Sequence, residues 1–393
     1  MNNWKKYKLT DLGTLARGKS KNRPRDAAFL YGGPYPFIQT GDIKGSNHRI
    51  YSYTQTYSEA GLKQSKLWPK DTICLTIAAN IGDTAILDFP ACFPDSVLGF
   101  IADKTKCDVE FIEYLLQHYK KEIQSHSIGS VQDNINLGTF ENVEFNLPTL
   151  SEQQTIAEIL SSLDDKIELN LQINKTLEEM ANALYKHWFV DFGPFQDGKF
   201  VESELGLIPE GWEVKTLEYI ADFKNGKGIK DEDKHENGKY IVLGSNGIVG
   251  RTDKVLFKEP VIATGRVGAN YGAIHYSLLP CWISDNAITS QPIIKTNLWF
   301  LLRLLQNINY NNFAVGSAQP LITQGAIKNI LFAYPNQNIL DNYYSKVNNL
   351  YLSINENKIE CENLKQIRDC LLPKLISGEI GVKDPAKKVK EVL

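Results

Sequence analysis

Two groups of basic residues in this 393-residue sequence have the composition of loops that contact phosphate groups. Both groups lie in segments that contain glycine, so the backbone can approach a ligand closely. They consist of Arg17, Lys19, Lys21, Arg23 and Arg25, and of Lys224, Lys227 and Lys230. Lysine and arginine on such loops are suited to the phosphate oxygens of a nucleic acid. The alternative interpretation is a solvated charged loop.

A second set of side chains has the hydrogen-bonding groups that read base edges. Asn80 and Arg266 occupy corresponding places before Ile-Gly and Val-Gly pairs, and arginine to guanine is the commonest specific contact in DNA recognition. For Arg266, a salt bridge or a phosphate contact is the alternative. A glycine-led loop supplies small polar side chains twice, as Ser130, Gln132 and Asn134 and again as Ser317 and Gln319. A structural turn that caps backbone groups is the alternative for this loop.

Signals for catalysis are weak throughout the sequence. It lacks the Asn-Pro-Pro-aromatic site of an amino-methyltransferase. Glu232-Asp233-Lys234 has the ExK spacing of some nucleases, but it lies in a highly polar stretch without a strand pattern. The histidines form no HExxH pair and the six cysteines no CxxC pair, so we expect no catalytic residue and no metal site.

Two long amphipathic segments must position these candidate residues. From Ile156 to Trp188, seam positions recur alternately four and three residues apart, which is typical of a coiled-coil helix. Adding 187 to each number gives a second seam, from Tyr343 to Leu375, in the same phase. Each helix would be about 58 Å long at about 1.5 Å per residue. The two helices are expected to pair with each other in antiparallel orientation.

Asparagine occupies the same seam position in both segments, as Asn170 and Asn357. A seam asparagine lowers stability but fixes the register of the pair, because sliding the helices would leave its amide unpaired. The alternative is a loose, hydrated seam at this position.

The repeat extends beyond the helices. Trp4, Gly18 and Lys19 recur as Trp212, Gly226 and Lys227, a displacement of 208, and the glycine-led loop recurs at the helical displacement of 187. The predicted fold class is α+β: two similar mixed α/β globular domains, separated by two long antiparallel coiled-coil helices with pseudo-twofold symmetry. The predicted segments are a first globular domain at 1–147, a first helix at 148–190, a connector at 191–211, a second globular domain at 212–334, a second helix at 335–380 and a tail at 381–393.

Composition agrees with a globular protein in a reducing compartment. Hydrophobic residues make up 42% and charged residues 23%, and the formal net charge of −3 confines any nucleic-acid surface to local patches. The start of the sequence lacks an apolar signal core and no stretch is long enough for a membrane span, so we expect a cytoplasmic location.

Four phrases in the sequence resemble a known family. Ile208-Pro209-Glu210-Gly211-Trp212 looks like the opening of a target-recognition domain, and the segment Pro36 to Ile43 is similar to one inside such domains. The stretches from Leu147 to Ile156 and from Leu371 to Gly378 resemble the edges of helical spacers. Together they resemble the specificity subunits of Type I restriction-modification enzymes over nearly the whole chain. The first domain departs from the family pattern in retaining only Trp4 of the opening phrase.

The resemblance implies a non-catalytic DNA-recognition subunit that reads a bipartite, asymmetric target, one half-site per globular domain. It implies double-stranded DNA, two methyltransferase subunits and translocase-nuclease subunits as partners. The complex would use S-adenosylmethionine, ATP and Mg²⁺, none of them bound by this chain. Subunit docking would cover Trp188, Phe189, Phe192 and Phe195, for which packing within the chain is the alternative. A structural adaptor with two protein-binding heads is the competing function.

Overall fold

The computed structural model describes residues 4–22, 24–78, 80–125, 143–316 and 320–382. The chain divides into two compact units. Unit one comprises residues 1–171 and 358–393, and unit two comprises residues 172–357. Each unit therefore contains one globular part and one portion of each long helix.

Unit one is built on a five-stranded sheet. Its strands, in spatial order, are Gly13–Arg17, Val97–Ala102, Ile73–Thr76, Thr84–Leu87 and Arg49–Ile50. All neighbours are antiparallel except the last pair. Ile73–Thr76 and Thr84–Leu87 are buried at every residue, because their alternate side chains pack into two different hydrophobic clusters. The helix Val109–His118 packs its apolar residues on this sheet.

Smaller elements complete unit one. Tyr31–Phe37 pairs with Gln55–Tyr57, and Lys5–Tyr7 pairs with Phe145–Leu147. The short helices are Leu9–Leu12, Thr40–Gly45, Glu59–Lys63 and Lys120–Ser125, with a 3-10 turn at Ala28–Leu30. The sequence pattern predicts one helical run from Val109 to Ile123, but the structure interrupts it at Tyr119, whose backbone N–H donates to the Leu115 carbonyl at 3.1 Å.

Unit two repeats the same sheet order with four strands. These are Ala221–Asn225, Ala287–Pro292, Val261–Gly265 and Ile274–Ser277, all antiparallel to their neighbours. A second sheet places Tyr240–Gly244 between Gly247–Thr252 and Cys281–Ile283, and Glu213–Thr216 pairs with Leu331–Tyr334. The α-helices are Leu298–Gln306 and Gln324–Lys328, and the 3-10 turns are Gly193–Phe195, Leu217–Tyr219, Asp231–Asp233, Gly268–Asn270, Lys295–Asn297 and Tyr310–Asn312. The expected connector contains a hairpin, Phe200–Ser203 with Gly206–Pro209.

The long helices run from Leu150 to Tyr185, followed by a π-helical turn at Lys186–Val190, and from Gln337 to Ile376. The sequence predicts Ser151 as the N-cap, which would start the first helix at Glu152, two residues later than the observed Leu150. Thr149 and Glu152 cap it instead, because the Glu152 carboxylate accepts from the Thr149 N–H and the Thr149 hydroxyl accepts from the Glu152 N–H.

Both units confirm the antiparallel pairing of the helices. In unit one, Asp164 accepts from Arg368 at 2.6 Å and Asn170 donates to Glu360 at 2.7 Å, so numbers rise along one helix as they fall along the other. In unit two, Asn357 donates to Asn174 at 2.9 Å. Both predicted seam asparagines therefore use their amides in contacts between the helices. Their role in fixing register stays a prediction.

In each globular part, one residue at an equivalent position contacts a long helix of the same unit. Tyr114 and Arg303 each precede a Leu-Leu-Gln sequence in equivalent helices, and they contact Asp164 and Tyr351, which are 187 residues apart. Tyr114 donates to Asp164 at 2.7 Å, and the Arg303 guanidinium lies 5.7 Å from the centre of the Tyr351 ring. The repeat thus keeps the contact but changes its chemistry.

Within the described residues, no helix has the length and apolarity needed to cross a membrane.

Candidate nucleic-acid interface

Arg266 follows directly on the buried strand Val261–Gly265 of unit two. Its backbone is held on both sides, because its N–H donates to the Asn286 carbonyl at 3.0 Å and its carbonyl accepts from the Ile322 N–H at 2.9 Å. Its Nη1 lies 3.4 Å from the Asp285 carbonyl, and its buried Nε has no hydrogen-bond partner. No carboxylate of the described residues lies within salt-bridge distance of Arg266. Among the described residues the salt-bridge alternative has no partner, and a contact with a ligand stays the prediction for Arg266.

The loop that holds Arg266 also holds the basic loop of unit two. Gly226 donates to Ala287 and Lys227 donates to Ile283, both at 2.9 Å. A Cβ atom at Gly226 would lie 2.1 Å from the Ser284 carbonyl oxygen, so only glycine permits this approach. Lys224, Lys227 and Lys230 are exposed, and Lys230 pairs with the equally exposed Glu232. The segment 283–287 thus connects Arg266 with Lys227, one of the predicted phosphate-contacting lysines.

The basic loop of unit one is attached in the same way. Gly18 donates to Val97 at 2.9 Å and Lys19 donates to Phe93 at 3.1 Å. A Cβ atom at Gly18 would lie 2.2 Å from the Pro94 carbonyl oxygen, nearly the value at Gly226. The displacement of 208 seen in the sequence therefore corresponds to one local structure used twice.

The two arginines of this loop that the structure describes are already engaged. Arg25 forms a two-pronged ion pair with Asp95 at 2.7 and 2.9 Å, and the Arg17 Nε donates to the Asp95 carbonyl. Lys19 and Lys21 are exposed. Arg23 lies outside the described residues. The predicted cationic surface of unit one is therefore narrower than the sequence indicates, with Lys19 and Lys21 most available to phosphate.

Asn80 lies in the turn after Ile73–Thr76, the place that Arg266 occupies in unit two. Its side-chain carbonyl accepts from the Nζ of Lys44 at 3.2 Å. Unit one thus presents an amide beside an ammonium where unit two presents a guanidinium. Lys44 is absent from the sequence-based candidates, although it directly follows the family-like segment Pro36 to Ile43 and could have been found there.

The predicted polar loop residues Ser130, Gln132, Asn134, Ser317 and Gln319 lie outside the described residues. The described residues that flank the second copy are informative. Val315 and Leu321 form an antiparallel bridge, and Leu321 forms another with Val267, next to Arg266. The base of this loop is therefore beside the candidate base-reading arginine.

The four aromatic residues proposed for subunit docking pack within unit two. Trp188 and Phe189 are buried, and the Phe189 ring lies 4.8 Å from that of Phe300. Phe192 and Phe195 are partly buried, with their rings 5.4 and 5.3 Å from the Trp212 ring. These residues therefore pack within the chain, which was the alternative to a subunit-docking surface. The structure does not support their assignment to subunit docking.

Several described titratable groups outside the candidate interface are buried or paired with an opposite charge. Burial raises the pKa of Cys107 to about 12 and that of Cys281 to about 11, so both thiols stay protonated. The carboxylates around the ExK sequence pair with lysines, as in Lys234 with Asp231 and Lys254 with Asp233. In the part of the chain that the structure describes, no three His, Cys, Asp or Glu residues are arranged to hold a metal ion.

Comparison with known proteins identifies the family of this chain. Residues 1–179 and 209–366 match the family model described as the Type I restriction modification DNA specificity domain. The Type I restriction enzyme MjaIX specificity subunit of Methanocaldococcus jannaschii is 30% identical over 97% of this chain and 94% of its own length. The chain belongs to the Type I restriction-modification specificity subunits.

Other members of the family agree with this assignment. The HindI specificity subunit of Haemophilus influenzae is 23% identical over 97% of this chain and 100% of its own length. The crystal structure of a Type I restriction-modification S subunit from M. genitalium has the same fold, with a TM-score of 0.62 at 20% identity over 95% of this chain and 96% of that one. The specificity subunit described here thus contains two DNA specificity domains. Arg266 and the two basic loops lie within the ranges that the family model matches.

Proposed function

We propose that this specificity subunit reads a bipartite, asymmetric DNA target, with one half-site for each globular part. The supporting observation is that equivalent loops present different side chains. Asn80 with Lys44 stands in unit one where Arg266 stands in unit two. A shared backbone with different base-reading groups is what two unlike half-sites require.

Phosphate contacts position each globular part on its half-site in this proposal. Lys19, Lys21 and Lys227 lie on loops that two backbone hydrogen bonds fix to the sheet, Lys224 lies on the adjoining strand Ala221–Asn225, and all four are exposed. Four such contacts predict that log K falls with log salt concentration with a slope of about −3 to −4. The competing adaptor function predicts no such dependence.

The paired long helices set the number of base pairs between the half-sites, and the subunit recruits two methyltransferase subunits and the translocase-nuclease subunits. Those partners bind S-adenosylmethionine, ATP and Mg²⁺ and perform adenine methylation and cleavage, whereas this chain contributes target choice.

Sequencing of methylated adenines in cells that contain this subunit and its partner subunits tests the proposal. The expected result is a methylated motif made of two defined parts and an undefined gap, which disappears when this subunit is deleted. A motif that persists without the subunit, or a single continuous motif, would contradict it. The salt slope of DNA binding, measured on the assembled complex, separates the reading function from the adaptor.

A further inference from the structure

The hairpin of unit two that joins Tyr240–Gly244 to Gly247–Thr252 ends in two exposed aliphatic residues. Ile248 is 64% exposed and Val249 48% exposed. Gly247 has a φ of +86°, which allows the tight connection through Ser245 and Asn246. Single exposed aliphatic residues are common, but two adjacent ones at the tip of a polar turn need an explanation.

The equivalent residue of unit one shows that the fold does not require this exposure. Phe37 pairs in parallel with Cys92 in unit one as Val242 pairs with Trp282 in unit two, and an isoleucine follows six residues later in both units. In unit one this residue is Ile43, which is 1% exposed within the short helix Thr40–Gly45 and packs into the core. In unit two a hairpin replaces the helix, and Ile248 points away from the core.

The hairpin tip lies beside the candidate base-reading arginine. The Asn286 carbonyl accepts from both the Arg266 N–H and the Ser245 hydroxyl, so one loop joins the hairpin to Arg266. A Cβ atom at Gly265 would lie 3.1 Å from the Ser245 carbonyl oxygen, which shows how closely the two segments approach. The same loop binds Lys227, and the exposed Arg251 follows the tip along its strand.

An apolar tip among cations fits a DNA duplex better than a protein surface. The cations can contact phosphates, while the only apolar group on the major-groove edge of a base pair is the 5-methyl group of thymine. Aliphatic side chains contact this methyl group in direct readout, and Arg266 would read the neighbouring base pair through hydrogen bonds.

We propose that Ile248 and Val249 enter the major groove of the second half-site and contact the 5-methyl group of a thymine there. The inference rests on the proposed function and adds one specific base to it. It makes this hairpin a specificity determinant that unit one, with its buried Ile43, does not have.

Substitution of single thymines by deoxyuridine tests the contact, because this change removes only the methyl group. Duplexes with the mapped target would carry deoxyuridine at each thymine of the second half-site in turn, and binding would be measured by fluorescence anisotropy on the assembled complex. One substitution should weaken binding of the unchanged subunit about fourfold, the value for loss of one buried methyl group. The same substitution should have no further effect on the double variant Ile248→Ser, Val249→Ser.

Ile293→Ser is the matched control. Ile293 is 59% exposed and follows the opposite end of strand Ala287–Pro292, away from Arg266. This variant should keep the full sensitivity to deoxyuridine. Since the changed side chains are exposed, all variants should have unaltered thermal unfolding temperatures.

Either of two kinds of result, from the target DNA or from the double variant, would overturn the inference while leaving the proposed function intact. One is specific binding that is insensitive to deoxyuridine at every position, or a second half-site without thymine. The other is equal sensitivity in the unchanged subunit and in the double variant. Loss of sequence-specific binding by the unchanged complex would instead contradict the proposed function itself.

Discussion

Asp164→Ala should strongly destabilise unit one, because this carboxylate joins the globular part to both long helices. Asp164 is 3% exposed, and it accepts from the Tyr114 hydroxyl at 2.7 Å and from the Arg368 Nη1 at 2.6 Å. Its removal leaves a largely buried guanidinium and a buried hydroxyl without their partner. Breaking a buried ion pair from one side costs about 3–5 kcal/mol, and Asp369, which also pairs with Arg368, favours the lower end.

The neighbouring residue provides the matched control. Asp165 is exposed on the same helix, so Asp165→Ala should change the free energy of unfolding by no more than about 0.5 kcal/mol. Tyr114→Phe should cost about 1 kcal/mol, the contribution of one hydrogen bond. The effects of Asp164→Ala and Tyr114→Phe should not add in the double variant, because both changes remove the same contact.

Urea unfolding of the full chain, followed by far-UV circular dichroism, measures these differences. The transition whose midpoint moves in Asp164→Ala is assigned to the unfolding of unit one. In this transition, the dependence of the unfolding free energy on urea concentration should be the same for all variants. Equal stability of Asp164→Ala and Asp165→Ala would refute the reasoning, since it would mean that the contact between the sheet-covering helix and the long helices contributes nothing.

Two further predictions concern base readout and pH. Arg266→Ala should relax one base position of the second half-site in methylation mapping and leave the first unchanged, whereas equal weakening on all sequences would make Arg266 a phosphate contact. Burial lowers the pKa of His48, but the adjacent Glu113 carboxylate at 2.7 Å outweighs this and holds it above its ordinary value of 6.5. The contribution of protonated His48 to the free energy of unfolding is therefore fully present below about pH 6.5. It is lost as the pH rises through the higher pKa of the folded state. His48→Asn, which keeps a donor to Glu113, should remove the loss of stability above pH 6.5, and a variant whose unfolding temperature has the same pH profile as the unchanged protein would contradict the assignment.

Periodic features of this protein could be predicted from its sequence. The seam of the long helices repeats without interruption, so the constant displacement of 187 gives both their extent and their pairing. Gly18 and Gly226 could be recognised as equivalent positions of the repeat. Both positions require glycine, because a Cβ atom there would collide with the facing backbone. These features depend on local pattern and steric fit, which a sequence records directly.

Features that depend on distant partners could not be predicted. Arg25 lies 70 residues from Asp95 in sequence, so its ion pair is invisible in a list of basic residues. Lys44 and Asn80 are brought together only by the fold. Ile43 and Ile248 occupy equivalent positions in the two units, yet a helix buries Ile43 and a hairpin exposes Ile248. The aromatic residues Trp188 and Phe189 suggested a docking surface because Tyr343, which both contact, and Phe300, which Phe189 contacts, are more than 100 residues away along the chain.

The length of the gap between half-sites tests the central claim most directly. Four residues, about one helical turn, would be inserted after Leu171 and four more after Asn357. Each helix would then be longer by about 6 Å, close to the rise of two base pairs. Methylation mapping should then show the same two half-sites separated by a longer gap. An unchanged gap, or a change in the half-site sequences themselves, would show that the helices do not measure the DNA.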